Sequence, residues 1–136
     1  MIVEDYATHY YESQTERNAP GAYEGKFVHI IGPQEEFLVL SPTELTEYHS
    51  HIVQRFSRRR HDLSSISSPS GNEVRFGTPG WKIKGGGRFR LDHGAGTMHL
   101  WGSSKAYGKF DGAHLRQALK SIDGWEHFVV SLAEPE

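Results

Sequence analysis

Apolar residues fall into short runs along this chain, and their period changes from run to run. GKFVHIIG reads as a buried strand over residues 26–31, broken by Gly32 and Pro33. EFLVL, residues 36–40, is a second strand whose unbroken apolar run suits a sheet covered on both faces. In SPTELTEYHSHIVQRF the spacing becomes helical, which predicts a helix from Thr43 to about Arg58. Thr43 is its expected N-cap, and Glu44 sits in the first turn, where negative charge is favoured. EVRF, WKIK, RFRL and TMHLW follow as short strands, with GGG separating the middle two and DHGAG turning between the last two. Asp111 caps a second predicted helix carrying Leu115, Ala118, Leu119 and Ile122 at helical spacing. Gly124 ends it, and EHFVVSL is the last strand.

Between these elements, RRRHDLSSISSPSGN is a serine-rich loop expected to be mobile. Residues 1–22 are polar with scattered aromatics and end at AlaProGly; they read as a loosely ordered arm, with Tyr10 and Tyr11 able to dock on the body. The expected organisation is that arm and one domain over residues 23–136. The expected fold is α/β (α+β), a single mixed sheet of about six strands flanked by two helices, one per face.

Composition narrows the function classes. A chain of 136 residues suits one domain. With 24% charged residues, 36% hydrophobic residues and a net charge of -2, nothing pulls the whole surface toward nucleic acid or anionic membrane. The absence of cysteine excludes disulfides, cysteine-ligated zinc, iron–sulfur clusters and a catalytic thiol, and fits a reducing compartment. The N-terminal stretch has neither the basic region nor the apolar run of a secretory signal, and nothing approaches the roughly 20 apolar residues of a membrane span. The expected location is the cytoplasm, with no membrane partner and a monomeric chain.

Candidate chemistry starts with EYHSHI. At about 100° per residue, Leu45, Tyr48, Ile52, Val53 and Phe56 share one face of the predicted helix, and His49 falls within that arc. His51 falls outside it with Glu47, Ser50 and Gln54, facing water. His49 is then either a core histidine with satisfied hydrogen bonds or an imidazole held by packing and aimed at a cleft, where its neutral form acts as nucleophile or base. A HisXHis chelate is disfavoured, because residues i and i+2 diverge on a helix. The nine histidines include no HExxH motif and no paired acidic cluster, so no metal site and no cofactor are expected.

Two loops hold small residues. GGGR, residues 85–88, permits close backbone approach, and on its own is a bulge or tight connection. GSSKAYG, residues 102–108, lets backbone N–H groups converge on a phosphate-sized anion, with Ser103, Ser104 and Lys105 adding donors and charge; on its own it is also an ordinary strand–helix loop. SRRRH, residues 57–61, has no interleaved aromatic platform and reads as a solvated helix end, so nucleic acid is not an expected partner.

Taken in order, GKFVHI, EYHSHI, GGGRFRL and MHLWGSSKAYG resemble the Janus family of small phosphohistidine phosphatases over about residues 26–132. The resemblance implies a mixed six-stranded sheet with two helices. It implies removal of phosphate from phosphohistidine in proteins or peptides without a metal. It places the essential histidine at His49, the phosphate-contacting lysine at Lys26, and the phosphate loop at Ser104, Lys105 and Ala106 with their backbone N–H groups. Arg88 would help hold charge, and Gly85 would supply the carbonyl that orients the imidazole. His51 and Ser103 depart from the family pattern, which has an acidic residue and an aromatic there. A module that binds phosphate or phosphorylated residues without turnover is the alternative expectation. Salt-dependent RNA binding through Arg58, Arg59 and Arg60 is a third.

Overall fold

A computed structural model describes residues 1–6, 9–11, 20–45 and 48–132. The strands are β1 (Ile2–Asp5), β2 (Ala22–Ile31), β3 (Glu36–Pro42), β4 (Ser65–Ser67), β5 (Val74–Phe76), β6 (Lys82–Asp92), β7 (Thr97–Trp101) and β8 (Val129–Leu132). Helix α1 is His49–Arg58 and α2 is Gly112–Leu119. Six strands form one mixed sheet in the order β1-β3-β2-β6-β7-β8, and β4 pairs with β5 separately. The outer pairs β1–β3 and β7–β8 are parallel, and the inner pairs are antiparallel.

Side-chain alternation along β2 and β6 divides the core in two. Phe27, Phe89 and Leu91 point to the face covered by α2, with Leu115 and Leu119. Val28 and Ile30 point to the opposite face, under Ile52, Val53 and Phe56 of α1. All ten of these residues apart from Leu119, at 1%, are fully sequestered, which is why both predicted strands read as unbroken apolar runs.

Several local expectations change. The GGG segment does not separate two strands: residues 82–92 are one strand paired with β2 along its length, with a register shift between His29 and Ile30. Glycine keeps extended geometry while leaving room for chain packed on it, so alternation carries through. Helix α1 starts at His49 because Thr43 is used otherwise: its N–H and hydroxyl both donate to the Glu24 carbonyl, extending the β2–β3 ladder. Leu45 N–H then closes a turn on the Pro42 carbonyl; Glu47 lies outside the described residues. Helix α2 ends at Leu119, before Gly124, while Asp111 caps it as expected, accepting from His114 N–H at 3.1 Å.

The start of the expected arm is ordered: Ile2–Asp5 pair with β3, Tyr6 is buried and Tyr11 packs on the core. Residues 12–19 lie outside the described residues. The serine-rich loop contains β4, which forms a hairpin with β5, the strand expected at EVRF; buried Leu63 and Val74 anchor the hairpin against α1. Two of its arginines are structural. Arg60 pairs with Glu4 and stacks on Phe56 at 3.5 Å, and Arg59 lies over Tyr6 at 4.9 Å. Among the described residues, no helix is long and apolar enough to cross a membrane.

Candidate functional site

Lys26 and Arg88 are directly opposite in the antiparallel β2–β6 ladder. Alternation puts Lys26 on the same face as Val28 and Ile30, and Arg88 on the same face as Gly86, so both reach the side covered by α1. Like charges opposed across a ladder repel. Arg88 has no ion-pair partner among the described residues, and Lys26 Nζ lies 5.6 Å from the Tyr48 ring centroid.

His49, the first residue of α1, sits above this pair. Its ring packs on Gly86, where an added Cβ would come within 3.0 Å of His49 Cδ2 and 2.8 Å of the Phe27 carbonyl oxygen. Nε2 is 2.9 Å from the Gly87 carbonyl. A carbonyl only accepts, so Nε2 carries the proton and Nδ1 keeps its lone pair. Burial, together with the charges of Lys26 and Arg88, holds the His49 pKa below 6.5, against the raising effect of the Gly87 bond. The ring is therefore neutral at pH 7 with an available nitrogen. The orienting carbonyl is Gly87, not Gly85. Because β6 is continuous, Gly85 faces the backbone of Lys109, whose carbonyl an added Cβ would meet at 2.5 Å.

The 102–108 loop closes the other wall. Ser104 and Gly108 exchange backbone hydrogen bonds of 3.1 and 2.8 Å, and the Ser104 hydroxyl accepts from Tyr107 N–H. Ser104 N–H is thus committed within the loop, leaving those of Lys105 and Ala106 without an acceptor among the described residues. Tyr107 fixes the loop to β5: its hydroxyl donates to the Val74 carbonyl at 2.7 Å and accepts from Val74 N–H at 3.0 Å. Burial pushes its pKa up to about 12, so it stays a neutral donor.

The N-terminus of α1 opens on the same space. Tyr48 at the N-cap makes no side-chain cap, and the first turn holds no acidic residue. Ser50, expected to face water, is 1% exposed and its hydroxyl has no partner. An uncapped helix N-terminus with a buried unpaired hydroxyl is a ready anion site.

A cleft of about 800 Å³ unites these groups: Lys26, His49, Ser50, Arg88, Lys105 and Ala106 all line it, as does Ser104. Every site residue expected from the sequence lies here except Gly85. Tyr48, Ser103, Asn72 and Glu73 complete the lining; the last two come from the β4–β5 hairpin, which no sequence signal connected to the site. Reading WKIKGGGRFRL as one alternating strand would have put Gly86 and Arg88 on a common face and exposed the role of Gly87. His51 is exposed and lines a neighbouring cleft of about 760 Å³ that shares Lys26 and Arg88 with the first.

The arrangement can bind a tetrahedral oxyanion beside a neutral imidazole nitrogen. The profile of the Janus/Ocnus family (Ocnus) matches residues 26–128, which span all of these groups. No curated protein matches the chain.

Proposed function

The chain belongs to the Janus/Ocnus family, and we propose that it is a metal-independent phosphatase that hydrolyses the P–N bond of phosphohistidine in a protein or peptide. The observation that carries this reading is the pairing of Lys26 with Arg88 beneath a neutral imidazole whose Nδ1 is available. Two cations opposed on one face are unfavourable unless an anion sits between them. The Ser50 hydroxyl and the N–H groups of Lys105 and Ala106 add donors without charge.

Phosphoryl transfer needs positioning and charge stabilisation more than covalent help from the protein. With its oxygens on Lys26, Arg88 and the loop, a phosphoryl group presents phosphorus to His49. Two roles are open to Nδ1. As nucleophile it forms a new N–P bond while the substrate P–N bond breaks and the departing imidazole takes a proton from solvent. Water then releases inorganic phosphate from His49. As general base it takes a proton from a water that attacks phosphorus directly, and the departing imidazole is again protonated. The adjoining cleft, with Thr43, Leu45 and Trp101, gives room for polypeptide flanking the phosphorylated residue.

The test is phosphate release from a phosphohistidine peptide and from phosphoramidate, with chelator present. Turnover is expected in the wild type and in His51→Ala, and its loss in His49→Ala and Lys26→Ala. Intact-protein mass spectrometry after rapid acid-free quenching separates the two roles, because only the nucleophilic route adds a phosphoryl group to the chain. Absence of turnover with phosphate-induced shifts at residues 104–106 would replace this reading with a binding module.

A further inference from the structure

On the sheet face opposite His49, three side chains from three elements meet. His29 of β2 alternates with Val28 and Ile30, and so shares the α2 side with Phe27. Glu36 opens β3, and His114 lies in the first turn of α2. His29 Nε2 lies 2.9 Å and His114 Nε2 2.7 Å from the same oxygen, Glu36 Oε1. The three ligand atoms are all within 4.8 Å of one another. The imidazoles are stacked with centroids 5.5 Å apart. Exposure is graded across the group: the side chain of His29 is sealed, Glu36 is 29% exposed and His114 46%.

We infer that His29, Glu36 and His114 bind a divalent transition metal, zinc being the best match. Two imidazole nitrogens and one carboxylate oxygen are a common zinc donor set, and bond lengths of about 2.0–2.2 Å require donor atoms close to the separations already present. Ordinary use of a carboxylate spreads hydrogen bonds over both oxygens. Here both rings converge on one oxygen, which is the convergence that a single ion requires. The exposed His114 side is the entry path, and a water completes the fourth position. The ion would staple the first turn of α2 to the β2–β3 hairpin. It stands across the sheet from the anion cleft, so it takes no part in the proposed hydrolysis.

The site also sets its own limit. His29 Nδ1 is buried without a partner, so the outer hydrogen bond that tightens most histidine–metal bonds is missing there. Affinity in the micromolar range is the expectation, weaker than in closed structural zinc sites.

The experiment is titration of the full chain with cobalt(II), read by its visible absorption, followed by displacement with zinc. One equivalent of cobalt with the intense bands of four-coordination is expected in the wild type, and zinc is expected to raise Tm. Glu36→Gln and His114→Ala keep the fold-bearing His29, and each should weaken cobalt binding at least about tenfold and remove the zinc effect on Tm. His127→Ala, a control at an 86% exposed side chain, should bind as the wild type does. Absence of those bands in the wild type, or undiminished binding in both cluster variants, overturns the inference. Neither readout depends on phosphatase activity.

Discussion

Replacing Arg88 with glutamine should move stability and anion affinity in opposite directions. In the ligand-free protein Arg88 faces Lys26 across the β2–β6 ladder. Two unit charges about 6 Å apart at the surface repel by roughly 0.7 kcal/mol at the dielectric constant of water. Arg88 is exposed, so the water value applies, and removing one charge should stabilise the protein by up to about 0.7 kcal/mol. For a chain of this size that is a Tm increase of about 2–3 °C. The same change removes one of two cations from the proposed phosphate site. At about 4 Å, a cation contributes roughly 1–4 kcal/mol per unit of anionic charge, depending on how far water is excluded. Phosphate affinity should therefore fall about tenfold or more. Thermal unfolding at low salt measures the first effect, and phosphate titration by calorimetry or amide shifts measures the second. Both should shrink at 1 M salt, where the screening length is about 3 Å. A variant less stable than wild type with undiminished phosphate affinity would refute the reasoning, because Arg88 would then be a structural residue and not half of an anion site.

Three further outcomes follow from the same geometry. Because burial and two cations hold the His49 pKa below 6.5, the acid limb of any activity that needs neutral Nδ1 should have its midpoint below 6.5, lower than an unperturbed histidine would give. NMR titration of the ring should show the same lowered midpoint, and Lys26→Met should move it up toward 6.5. The sign for stability is also set: the unfolded chain binds this proton more readily, so His49 lowers stability progressively as pH drops below 6.5. Gly86→Ala would place a Cβ 2.8 Å from the Phe27 carbonyl and 3.0 Å from the imidazole; a cost of about 1–3 kcal/mol in urea unfolding and a displaced His49 resonance are expected. Tyr107→Phe removes both hydrogen bonds to Val74 and should cost about 1–2 kcal/mol while weakening phosphate binding, as the loop loses its tie to β5.

Parts of the site were legible because they rest on local pattern. Helical spacing separated His49 from His51, since packing one face of α1 on the sheet leaves only certain positions inward. The same wheel failed for Ser50, which is 1% exposed: a wheel counts only one packed face, whereas Val74 of β5 packs with α1 as well as the sheet does. Of the β4–β5 hairpin, β5 reads as a strand and only β4 lies in the segment read as mobile loop. The GGG run was misread for a physical reason. Glycine marks turns and also marks strands on which other chain packs closely, and only the neighbours distinguish the two. Here the neighbours are the backbones of Phe27 and Lys109 and the ring of His49.

The sequence by itself determined the mixed α/β class, the two apolar strands, the capping of α2 by Asp111, and the inward placement of His49 against the exposed placement of His51. All of these depend on interactions between residues a few positions apart. Tertiary structure alone decided which cations oppose each other, which carbonyl holds His49, that Ile2–Asp5 complete the sheet, and that His29, Glu36 and His114 converge. Those outcomes depend on strand register and on pairing between distant segments, where one residue of slip exchanges the two faces of a strand. No local pattern encodes that register; it is set when the whole sheet buries both of its faces at once.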